Sequence, residues 1–201
     1  MKKTPRLLKP LYPFLWRRAK LKFEPINFTG NLIAAALKQV NRRVIFDDTY
    51  RKITYPGGDV PPHIGTSADL IIRSYRDLGV DLQKEIYEDM CTCSHPYSDT
   101  MFSREPDACI DHRRIFNMEI FFRRKGITLP ITMNPQDYKA ADLISWLVPP
   151  DLPHIGIITN HRSKDGKRFL VVHNLGMGPK LEDVLFEYQI RGHFRYYGPI
   201  I

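Results

Sequence analysis

The chain has 201 residues, 43% of them apolar, with 30 basic and 22 acidic side chains for a formal charge of +8. That length suits one domain whose core needs no covalent staples, and three cysteines, an odd number, argue against a disulfide framework. No apolar run approaches the roughly 20 residues of a membrane-crossing helix, so none is expected.

The charge is concentrated at the start. Lys2, Lys3, Arg6, Lys9, Arg17, Arg18, Lys20 and Lys22 stand without an acid among them, and the rest of the chain balances to neutrality. Residues 1–28 read as a basic leader or arm and residues 29–201 as the folded domain. Such a leader either contacts an anionic surface, a membrane included, or stays solvated. The neutral body argues against nucleic acid as a partner. Leu7-Leu8 and Leu11 to Trp16 are interrupted by Lys9, Pro10 and Pro13, so no secretory signal is expected and the chain is read as made in the cytoplasm.

Thr29 can cap a helix over about Gly30 to Val40, with Leu32, Ile33, Ala36 and Leu37 inward. Tyr55 to Pro62, rich in proline and glycine, reads as an ordered loop. Thr66 and Asp69 then form a capping pattern, and Ala68, Ile71, Ile72, Tyr75 and Leu78 repeat at helical spacing up to Gly79. Residues 90–112 show no clear period. A third helix is expected over about Asn117 to Lys125, ending at Gly126. Asp142 to Leu147 reads as a strand.

Leu152 to Thr159 and Phe169 to Asn174 read as a hairpin across a turn at Ser163 to Gly166. The tail from Val184 to Tyr197 supports at least one further strand. Helices first and an antiparallel sheet after make an α+β pattern.

The chemistry-bearing residues fall at these element ends. A symmetric loop sets His154 opposite Leu175 and leaves His173 as its diagonal neighbour on the same face, roughly 7–8 Å away. They are a candidate base and orienter. Ser67 sits in the first turn of the second helix, where the macrodipole favours negative charge. Asp69 reads as a cap. Asp111, His112, Arg113 and Arg114 either line a cleft and bind a substrate carboxylate or form an ion-paired start to the third helix. Tyr55 and its loop are a candidate cleft wall near a developing oxyanion, and Asn174 is an alternative orienter of His154. Cys91, Cys93, His95, Cys109 and His112 do not have zinc-knuckle spacing. Free thiols are the better reading, and neither metal nor organic cofactor is called for.

The order of nucleophile at a helix start, strand, His-Ile-Gly-Ile and second histidine resembles the NlpC-type papain-like cysteine peptidases. A wider resemblance runs over roughly residues 45–197. It rests on Tyr55-Pro56-Gly57-Gly58-Asp59-Val60-Pro61, Asp69-x3-Arg73-x-Tyr75-Arg76, Ile110-Asp111-His112-Arg113-Arg114, Pro153-His154-Ile155-Gly156-Ile157 and His173-Asn174-x-Gly176-x-Gly178-Pro179. These strings are similar to the bacterial family catalogued as domain of unknown function 1287. The resemblance implies a papain-like domain over residues 29–201, with N-terminal helices on an antiparallel sheet. It also implies Ser67, His154 and His173 as nucleophile position, base and orienter.

The family usually has cysteine where Ser67 stands. Either the cysteine was exchanged deliberately or nature replaced it; the otherwise intact surroundings favour the first, and on this reading the chain is nearly inactive. The clan's commonest substrate implies an amide hydrolase acting on peptidoglycan peptides. The missing signal suggests an antibacterial effector, delivered to a target cell's periplasm by a contact-dependent apparatus such as type VI secretion, with an immunity protein as partner. The alternatives are a catalytically silent peptide- or glycan-binding domain, and a papain-like lipid hydrolase or acyltransferase.

Overall fold

The computed structural model describes residues 25–98 and 105–199. Most of the basic leader, residues 1–24, lies outside the described residues. The first helix, α1, spans Pro25–Leu37, so it starts before the expected Gly30, and Thr29 is an interior residue and not the cap. A proline suits a helix start because its φ is already helical and its missing N–H would have no partner there. Phe28, in this helix, is buried beside Tyr75 and Tyr197.

Two short strands, β1 (Ile45–Phe46) and β2 (Ile64–Gly65), pair in parallel and bring the loop between them against the start of α2 (Ser67–Asp77). The α2 start is as its sequence dictates. The Thr66 hydroxyl caps the first turn, and the Asp69 carboxylate accepts the Thr66 N–H at 2.6 Å. At the other end Leu78 is the cap and Gly79 takes the left-handed φ of 81°.

A helix the sequence reading passed over follows, α3 (Leu82–Thr92), capped by Asp81 and burying Leu82, Ile86 and Met90. After a 3-10 turn at Asp111–Arg113 comes α4 (Ile115–Lys125), which stops at Gly126.

The remaining strands are β3 (Ile127–Thr128), β4 (Leu143–Val148), β5 (Leu152–Arg162), β6 (Phe169–His173), β7 (Lys180–Glu182) and β8 (Gln189–Arg195). They form one six-stranded antiparallel sheet in the order β3-β8-β4-β5-β6-β7. The fold is thus α+β, with the helices on one face of the sheet. Leu143, Ile155, Ile157, Val172 and Phe194 meet the apolar sides of α1, α2 and α4 there. On the opposite face Tyr138, Ile144, Trp146, Ile158, Val171 and Leu185 form a second, smaller core.

The β5–β6 hairpin has a longer turn than Ser163 to Gly166. Ser163 N–H donates to Arg168 O at 2.9 Å, and Arg162 pairs with Phe169. A bulge between Ile158 and Arg162 offsets the extra length, since four steps along β5 pass two along β6. The Thr159 hydroxyl fills the bulge, donating to Leu170 O and accepting from His161 N–H. Beyond it Gly156 pairs with His173, so the register expected at the histidines is reached by a different turn.

Candidate active site

A groove of about 900 Å³ lies where β5 begins, β6 ends and α2 starts. Ser67, His154 and Asn174 line it together with Arg113 and Arg114. Ser67 is the first residue of α2, where the backbone amides have no intrahelical acceptor and the positive end of the helix is exposed to the groove. Gly65 approaches this turn with a φ of 151°, and a side chain there would meet the Asp69 carboxylate at 3.0 Å.

The two histidines come from adjacent strands. His154 pairs directly with Trp146 of β4, and the rings stack at 5.7 Å with an interplanar angle of 26°. Trp146 is itself fixed by donating its indole N–H to Leu185 O at 3.1 Å. His154 Nε2 lies 2.9 Å from His173 Nδ1, and His173 Nε2 lies 2.9 Å from Glu182 Oε2. Gly156 makes that approach possible, because a Cβ there would stand 3.2 Å from the His173 Cβ and 2.7 Å from Val171 Cγ1.

This chain fixes the protons. An ionised carboxylate only accepts, so His173 donates its Nε2–H to Glu182. A neutral His173 then has a bare Nδ1, which must accept from His154 Nε2–H. The proton of neutral His154 is thereby placed on Nε2, and its Nδ1 keeps a lone pair. Among the described residues neither that Nδ1 nor the Ser67 hydroxyl has a hydrogen-bond partner, and no hydrogen bond joins the two. Burial, followed by the nearby His173, pushes the His154 pKa down to about 3. Burial lowers that of His173 as well, although Glu182 opposes it. Both shifts favour neutral rings at pH 7, so His154 keeps the lone pair on Nδ1, while the same burial makes it a weaker base than a solvated imidazole.

Residues 33–196 match the family described as domain of unknown function (DUF1287). The chain belongs to the DUF1287 family. It is also 42% identical over 162 residues to the uncharacterized protein YijF of Escherichia coli (strain K12), covering 81% of this chain and 78% of that one.

Other residues singled out in this DUF1287 chain are placed differently. Arg113 faces the groove, but its guanidinium is committed. It makes a buried two-bond pair with Asp69 at 2.8 and 2.9 Å and donates to Asp47 O and Thr49 O. It therefore holds the α2 start against the 47–49 loop and has no fork left for a substrate carboxylate. Arg114 is half-exposed at the groove, 3.6 Å from Asp111.

Asp111 lies behind the groove lining and accepts the Asp107 N–H at 2.7 Å. His112 is buried off the groove, with Nδ1 unsatisfied and its pKa lowered to about 4 by burial. Tyr55 also lies off the groove; its ring packs on Tyr87 and its hydroxyl donates to Glu88. Asn174 does not orient His154. Its side-chain oxygen accepts from the Gly176 and Gly178 amides, both at 3.1 Å, and so shapes the loop at the groove rim.

Sequence reasoning missed Glu182 and Trp146 as parts of the site. Trp146 was legible by pairing, since the β4–β5 register sets it opposite His154. Glu182 gave no signal, because its strand is three residues long. Cys91, Cys93 and Cys109 are free thiols, and no group of three His, Cys, Asp or Glu side chains among the described residues is arranged to hold a metal ion.

Proposed function

We propose that this chain carries a papain-like hydrolytic centre for amide bonds of cell-wall peptides, with position 67 as the nucleophile site. The observation that carries the reading is that Ser67 and His154 line one groove, with the imidazole tautomer set by His173 and Glu182. A weak nucleophile needs a base in the right tautomer, and the base needs a fixed orienter. The His154 tautomer and its contact with His173 support this reading. The amide of residue 67 at the head of α2 is the natural donor to the oxyanion that forms on attack. Arg114 supplies an exposed cation for a peptide carboxylate.

With serine in place of a thiol, attack on an unactivated amide is slow, because the hydroxyl proton is far harder to remove. Exchanging Ser67→Cys is therefore the test. The variant, incubated with purified sacculi, releases soluble muropeptides, and the Ser67→Cys/His154→Ala double variant does not. Binding of the variant to sacculi without release would instead support a silent recognition domain.

A further inference from the structure

We infer that the chain as it stands, with serine at position 67, hydrolyses esters of uncharged, apolar acyl groups, and that Glu182 is a positioning residue for that reaction. The inference rests on the nucleophile and base assigned above and adds a substrate class and a working role for the serine.

The relay has the composition that a hydroxyl nucleophile requires. When His154 takes the Ser67 proton it becomes an imidazolium, and a serine starts with no negative charge of its own to balance it. A carboxylate behind the base meets that need. Here it is Glu182, one imidazole further back, joined by two contacts of 2.9 Å. A thiolate would bring its own charge, so a carboxylate-anchored pair of imidazoles matters less to a cysteine.

The groove sets the acyl class. Phe46, Tyr50, Ile115, Phe116, Leu152 and Leu175 form its walls. Phe46, Leu152 and Leu175 are each 40–45% exposed, a large apolar area to leave facing water beside a reactive centre. Charge does not select against a neutral group, because Arg113 is neutralised by Asp69 and the groove holds Asp48 as well as Arg114.

The step balances without a co-reactant other than water. The Ser67 oxygen bonds to the ester carbonyl carbon as its proton passes to His154 Nδ1. The carbon–oxygen bond to the alcohol breaks, and that proton leaves with the alcohol. Water then attacks the acyl-serine, giving its proton to His154, and the Ser67 oxygen departs and takes it back, which frees the carboxylic acid. An ester yields to serine where an amide resists, since an alkoxide leaves more readily than an amide nitrogen.

The test compares the native chain with Ser67→Ala on p-nitrophenyl acetate, butyrate and hexanoate. Native turnover exceeds that of Ser67→Ala, and kcat/KM rises at least roughly tenfold from acetate to hexanoate, as burial of added methylenes requires. A fluorophosphonate probe adds its mass to the peptide bearing Ser67. Glu182→Gln, which preserves an acceptor but removes the charge, lowers kcat about tenfold or more at unchanged KM. Equal rates for native and Ser67→Ala chains, no adduct at Ser67, or a flat chain-length profile would overturn the inference. Muropeptide release by Ser67→Cys without ester turnover by the native chain overturns it while leaving the amide reading standing; the reverse pattern does the opposite.

Discussion

At the scale of single residues, the site depends on a place where a side chain is missing. Gly156 sits across from His173 and gives the second imidazole room to reach the first. Gly156→Ala pushes β6 away from β5, destabilises the protein by about 1–3 kcal/mol as overpacking does, and lengthens the 2.9 Å contact between the rings. Denaturant midpoints measure the first effect, and the NMR shift of the ring proton between His154 and His173 measures the second. The histidines were legible because their strand parity is local arithmetic. Glu182 was not, because a three-residue strand leaves no alternation to read and its partner is reached only through the sheet.

At the scale of elements, the start of α2 shows how local and long-range chemistry share one side chain. Asp69 is legible as a cap from Thr66-x-x-Asp69, and it caps. It also accepts both Arg113 contacts from the turn before α4, a pairing that no spacing announces. Removing one partner of a buried pair leaves the other charge uncompensated. Arg113→Met therefore costs about 3–5 kcal/mol, read as a lower denaturant midpoint at an unchanged slope; a loss below about 1 kcal/mol contradicts the pairing. The α3 helix had legible signals in Asp81 and the four-residue spacing of Leu82, Ile86 and Met90. The early start of α1 had a weaker one in Pro25.

At the scale of the whole molecule, the order of the sheet was the least legible feature. The last strand, β8, inserts between β3 and β4, and only packing against α4 and the second core decides that. The fold also buries neutral histidines, which ties its stability to pH. His112 and His154 have folded-state values of about 4 and 3, against an unbound value near 6.5, and His173 shifts in the same direction. Below about pH 6.5 the unfolded chain binds protons that the folded chain refuses, so stability is full above that pH and declines as pH falls toward 4. Each such histidine contributes a slope of about 1.4 kcal/mol per pH unit. Chemical denaturation at pH 7 and pH 5 shows the loss, and His112→Gln reduces its slope by one histidine's share; equal stability at both pH values would contradict the burial of neutral rings.

The proton on His154 tests the whole arrangement most directly. Long-range proton–nitrogen NMR of imidazole-labelled protein at pH 7, assigned by comparison with His154→Ala, reports which ring nitrogen carries it. A protonated Nε2 and a bare Nδ1 are predicted, with the Nε2 proton shifted downfield by its bond to His173. A proton found on Nδ1, or a ring already charged at that pH, would contradict the account, because His154 Nδ1 would then have no lone pair with which to take a proton.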